Sequence, residues 1–144
     1  MKRIIYQDDD GGISVYIPSP YSKTPLAEQV KRHVPQDRPL NIVNASDLPE
    51  RDEFRGAWVP RDGDIKKGID ISMNKAREIT KTRLRAERTP LLEEQDVAFQ
   101  RALEAGTDTA EIVKEKQRLR DITKEADKAK TLDALKKLTC GGIK

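Results

Sequence analysis

The hydrophobic period changes along the chain, and that change constrains the fold more than any other feature. Near the N-terminus apolar residues alternate with polar ones: Ile4 and Tyr6, then Ile13, Val15 and Ile17. A period of two places such residues on one face of a strand. From Ile69 the spacing turns helical, and Ile69, Met73, Ala76, Ile79 and Leu84 approximate a 3.6-residue stripe. Pro60 to Gly68, between the two regimes, is polar and carries Asp-Gly turn signals. The expected fold class is therefore α+β. A small N-terminal β-hairpin or three-strand unit occupies residues 1–60, a linker 61–71, and a helical region 72–139 with an α-helical hairpin at about 90–126.

The local signals fill in this outline. Asp10-Gly11-Gly12 suits a tight hairpin turn, since glycine reaches positive φ without strain. Pro18 and Pro20 end the second strand, because proline cannot donate to a ladder. Residues 25–34 read as a short helix with Thr24 as cap, Pro25 in its first turn, and Leu26, Val30 and Val34 on one face. Leu40 to Val43 is a third strand, giving a βαβ-like unit, and Phe54 and Trp58 follow it. In the helical half Thr89-Pro90 interrupts the stripe. Proline's missing N–H suits the first turn of a helix, so Thr89 is expected to cap a helix restarting at Pro90. Leu92, Phe99, Ala102 and Leu103 would then face the core, and Gly106 would end that helix. Asp108 and Glu111 have capping-box spacing before a helix with Ile112, Leu119, Ile122 and Ala126 on one face, and a last short helix spans Leu132 to Leu138.

Composition limits what these elements can bury. The chain is 37% charged, 35% hydrophobic and 4% aromatic. Such a chain builds a modest core, so a partner is expected to cover part of its apolar helical surface. The net charge of +3 is unevenly spread: residues 1–64 carry nine Lys/Arg against eleven Asp/Glu, leaving the positive excess to the helical half. A single cysteine, Cys140, allows no internal disulfide, which fits a reducing compartment. Met1-Lys2-Arg3 is not followed by the apolar run of a signal peptide, and no stretch approaches the ~20 apolar residues of a membrane span.

Few residues offer chemistry. Asp8-Asp9-Asp10 does not have the spacing of a calcium loop and reads as a solvated turn, so no metal site is expected. His33 is the sole histidine, and Cys140, its only thiol partner, sits in an expected frayed tail. No nucleophile and base are paired, and neither catalysis nor a cofactor is expected. The glycine pairs at Gly11-Gly12 and Gly141-Gly142 lack the pattern of a phosphate loop. Lys75, Arg77, Lys81, Arg83, Arg85 and Arg88 make a basic segment over 75–88. Glu78 and Glu87 dilute it and no aromatic is interleaved, so a salt-bridged helix face is favoured over a nucleic-acid surface. Phe54, Trp58 and Phe99 are either core or interface anchors, and both readings stay open.

One resemblance stands beside these readings. The segment from Arg83 to Thr123 runs Arg83-Leu84-Arg85-Ala86-Glu87-Arg88, then Leu91-Leu92-Glu93-Glu94-Gln95-Asp96, then Lys116-Gln117-Arg118-Leu119-Arg120-Asp121-Ile122-Thr123. It resembles the C-terminal module of tailed-bacteriophage tail assembly chaperones and tail fibre assembly proteins. It departs from that module at Val97, where tryptophan is usual, and at Gln117, where an aromatic is common. Ile42 to Pro49 with Phe54-Arg55-Gly56-Ala57-Trp58 is similar to the start of uncharacterised phage proteins of this size. The resemblance implies a non-enzymatic protein of the host cytoplasm that binds a phage tail or tail fibre subunit. It also allows a structural virion component of the tail or neck, and a homo-oligomer. A small nucleic-acid-binding or host-takeover protein using the basic helix is the second alternative. The implied partner-binding residues are Phe54, Trp58, Arg83, Arg88, Asp96, Phe99, Arg118, Arg120 and Asp121. Asp96 is expected to pair with Arg118 or Arg120, near Asp121, and so fix the register of the hairpin.

Overall fold

Ile4 and Ile5 are adjacent in sequence and both are fully buried. That is possible only in a strand covered on both faces. The computed structural model, which describes residues 1–143, shows how. Strands β1 (Lys2–Gln7), β2 (Ile13–Tyr16) and β3 (Leu40–Asn44) form a sheet in the order β2-β1-β3. β1 is central and antiparallel to both neighbours, so β2 and β3 run parallel to each other. Helix α1 (Leu26–His33) connects those two outer strands, a βαβ unit split by β1. The even-numbered face of β1 carries Ile4 and Tyr6, which pack with Tyr16, Leu26, Val30, Val34 and Leu40. Thr24 does not cap α1. The N-cap is Pro25, without a side-chain cap, and the Thr24 carbonyl accepts from Gln29 Nε2 at 2.7 Å.

The opposite face is covered by residues expected to be a linker. Strand β4 (Trp58–Pro60) pairs antiparallel with β5 (Ile69–Ile71), with Trp58 opposite Ile71 and Pro60 opposite Ile69. The intervening loop turns through two short 3₁₀ segments, and its Ile65 is buried beside Ile5, Ile13, Trp58 and Ile69. Asn41 Nδ2 holds this loop by donating to the Ile65 and Lys66 carbonyls at 3.2 and 3.0 Å. Residues 61–71 are thus part of the N-terminal unit, which runs to Ser72, and Ile69 belongs to a strand instead of the helical stripe. Three-residue strands are too short for period-two patterning to register, and isolated isoleucines among charges read as linker.

The C-terminal unit begins at Met73. Helix α2 runs unbroken from Met73 to Ala105 with Pro90 inside it, so no helix restarts at Pro90 and Thr89 is not a cap. The Thr89 hydroxyl instead donates to the Arg85 carbonyl at 2.9 Å, back along its own helix. Gly106, at φ 67°, closes α2: Gly106 N–H donates to the Leu103 carbonyl and Thr107 N–H to the Ala102 carbonyl, the paired bonds of a Schellman motif. Helix α3 (Ala110–Lys128) returns antiparallel, its first free N–H, at Ala110, satisfied by the Asp108 carboxylate at 3.0 Å. Thr131 caps α4 (Leu132–Lys137), and β6 (Leu138–Thr139) pairs with β7 (Gly142–Ile143).

Burial in this unit is uneven. Ala76, Thr80 and Leu84 on α2, Leu119, Ile122 and Ala126 on α3, and Leu135, Leu138 and Cys140 are all buried. These belong to the stretch where α2 packs against α3, α4 and β6. Between Leu84 and Ala102, α2 buries no side chain. Leu103, expected in the core, is half exposed.

Candidate functional site

The basic segment of α2 is largely spent on holding its own unit together. Arg77 donates to the Ala129 carbonyl at 3.0 Å. Arg83 donates to the carbonyls of Leu135 (3.0 Å) and Leu138 (2.8 Å) and pairs with Glu87 at 2.8 Å. Arg88 donates to the Arg120 carbonyl at 2.8 Å. Lys81 pairs with Asp127 at 2.7 Å and Glu78 at 3.1 Å, and those hydrogen bonds raise its ammonium above the ordinary lysine range. Glu87 also accepts the Cys140 N–H at 3.3 Å, and the Cys140 thiol reaches the Leu84 carbonyl at 3.4 Å. Cys140 is therefore buried, not frayed. Desolvation pushes its thiol up, with the Glu87 carboxylate adding to the effect.

Further along the hairpin the cross-helix pairing differs from expectation. Asp96 pairs with Lys116 at 2.6 Å, not with Arg118 or Arg120, and it remains mostly exposed. Arg118 is held by Glu115 on its own helix, which lowers the glutamate and raises the guanidinium. Asp121 is lowered first by Gln117 and then by Lys124. The Arg120 side chain is exposed, and it is the Arg120 carbonyl that meets the facing helix. The reason is phase: the residue facing Asp96 across the hairpin lies one half-turn before Arg118. Lys116 also sits over the half-buried ring of Phe99, 5.1 Å from its centroid. Elsewhere on the two helices apolar side chains stay open: Val97, grouped with Glu93, Glu94 and Arg101 of α2, is 50% exposed, Leu103 54% and Val113 51%.

Phe54 and Trp58 are core side chains, and Trp58 also lines a surface pocket. Both are buried, at 0% and 1% exposure, in the N-terminal unit. What sequence reasoning missed lies beside Trp58. Arg3, Arg51 and Arg55 line a pocket of about 380 Å³ floored by Trp58, with Val15 and Leu48 among its apolar walls. Arg55 lies over the indole at 4.1 Å from its centroid and donates to the Ile13 carbonyl at 2.6 Å. Burial pulls its guanidinium downward and neighbouring Arg51 adds to that, against a smaller upward pull from Asp8. The three arginines are spread over 52 positions of sequence, and no spacing rule would join them.

Among the described residues no group of three or more His, Cys, Asp or Glu side chains gathers to hold a metal ion. Asp8, of the acidic turn, instead accepts from the N–H groups of Gly12 and Asp10. Among the described residues no helix is long and apolar enough to cross a membrane. No family model, curated protein or solved structure matches the chain.

Proposed function

We propose that this chain is a non-enzymatic bacteriophage protein that binds a tail or tail fibre subunit as an assembly chaperone, through the outer part of the α2–α3 hairpin. The observation that carries the reading is apolar surface left open on the outer hairpin: no side chain of α2 between Leu84 and Ala102 is fully buried, and Val97, Leu103 and Val113 are half exposed. Two helices alone leave their outer faces open, and a partner's helix or strand laid on such a face would cover it. The phage assignment rests on the resemblance over Arg83 to Thr123. The nucleic-acid alternative is less supported, because Arg77, Lys81, Arg83 and Arg88 already have partners within their own unit.

The test is a pull-down from phage-infected cells with the tagged full chain and with Val97→Asp/Val113→Asp, alongside quantitative mass spectrometry of purified particles. A tail or fibre subunit captured by the parent and lost with the double variant, at unchanged thermal stability, is the expected result. Absence of the chain from particles fits a chaperone, which leaves. Stoichiometric copies in the particle replace the chaperone reading with a structural virion component. Capture by both forms removes these helix faces as the interface.

A further inference from the structure

We propose that the arginine-lined pocket of the N-terminal unit binds an acidic peptide segment, with a carboxylate held by Arg3, Arg51 and Arg55 and a neighbouring apolar side chain against Trp58. The pocket lies at the end of the sheet where β1 begins and β2 and β3 finish. Arg3 and Val15 project there from the face that the β4–β5 hairpin covers, and Arg51 and Arg55 arrive on the segment before β4. The pocket belongs to this unit alone and is independent of the α2–α3 hairpin.

Three observations point to this ligand. The first is charge. Residues 1–64 hold more acids than bases, yet three arginines and no carboxylate line the pocket, so its positive field is local and not a consequence of composition. The second is the inventory of partners. Besides arginine and the indole, the lining side chains are apolar, so no side chain there accepts a hydrogen bond. A sugar or nucleoside would bury hydroxyls without acceptors. A group that only accepts, attached to something apolar, leaves nothing unsatisfied, and guanidinium forks match a carboxylate's planar pair of oxygens. The third is preorganisation and access. Arg55 is fixed by the indole and the Ile13 carbonyl, whereas two other lining residues, Arg51 and Ile17, are exposed, Ile17 at 52%. Exposed apolar surface among the cationic groups suits a chain that continues past its carboxylate, as a peptide does and a free small acid does not.

Trp58 is the chain's only tryptophan, so its fluorescence reads the pocket directly. The probes are a capped pentapeptide with one glutamate flanked by leucines, its glutamine counterpart, and hexanoate as a free carboxylate, each titrated into the full chain. The expected result is a saturable change with the glutamate peptide, weakened about tenfold by glutamine and about tenfold by Arg51→Ala. Arg51 is exposed, so this variant should melt with the parent by circular dichroism; Arg3→Gln serves as the second variant if it does not. Equal response to glutamate and glutamine peptides, no saturable response, or a response indifferent to both arginine variants overturns the proposal. Hexanoate binding as tightly as the peptide overturns the peptide and leaves a small organic acid site.

Discussion

Thr80 has none of its surface in solvent, and its hydroxyl finds no hydrogen-bond partner. An unmet buried hydroxyl costs about 1–3 kcal/mol, while an apolar side chain of the same shape carries no such cost. Thr80→Val is therefore expected to raise stability by about 1 kcal/mol, read as a shift in urea midpoint at unchanged slope. Cys140 gives a prediction with a pH sign. Its folded thiol is raised by burial and by Glu87, so the native state prefers the protonated form. That preference is fully present below the unfolded thiol's value of about 8.5 and is lost as pH rises through the higher folded value. The urea midpoint should fall as pH rises above about 8.5, and Cys140→Ala should flatten that fall. Lys81 is also raised, but its stabilisation fades only above the ordinary lysine value of about 10.4, after the thiol's fall has begun. A slope identical in parent and variant would show that Cys140 is not responsible.

Pro90 sits fifteen residues before the end of a 33-residue helix that spans about 50 Å. It leaves the Ala86 carbonyl without its usual donor, and proline in a helix interior is about 3 kcal/mol less favourable than alanine. Pro90→Ala is expected to stabilise the chain by about 1–3 kcal/mol, measured by urea unfolding followed at 222 nm. A loss of stability would mean that the helix depends on a bend there. Proline is a breaker only as a local preference, and here α3 packs alongside and overrides it, which is why the sequence pointed to a restart. The hairpin turn was legible because Gly106 is both a stop signal and a positive-φ requirement. The inward face of α2 was legible only in part: hydropathy selects Ile79, yet Ala76, Thr80 and Leu84 share the buried line at four-residue spacing and Ile79 is only partly buried. The three-strand sheet and α1 followed from alternation and prolines, whereas the β4–β5 hairpin did not, because its strands are three residues long. Of the candidate site, the cross-hairpin role of Asp96 could be anticipated and its partner could not, since Lys116 and Arg118 differ only in helical phase. The arginine pocket is assembled by tertiary folding and left no local trace.

At the scale of the whole chain, a net charge of +3 with its excess in the helical half suggests a polyanion binder only until the partners are counted. Arg77, Lys81, Arg83 and Arg88 are each engaged by a carbonyl or a carboxylate. These four side chains are oriented into their own unit, so duplex DNA binding through the 75–88 segment is expected to be weak, with a log–log salt slope smaller in magnitude than about 3. Tight binding with a slope of about 6 or more would restore the nucleic-acid reading. The way those arginines are engaged has a consequence for how the sequence can drift. A carbonyl is supplied by every amino acid, so the positions that receive Arg77 and Arg88, Ala129 and Arg120, are defined by where the chain passes and not by what it carries there. Substitution tolerance across each contact should be one-sided. In a saturation library scored for folding, Arg120 should accept most residues, while Arg88, the donor 2.8 Å away, should accept few. The exposed Arg120 side chain can therefore change while its backbone keeps the hairpin closed.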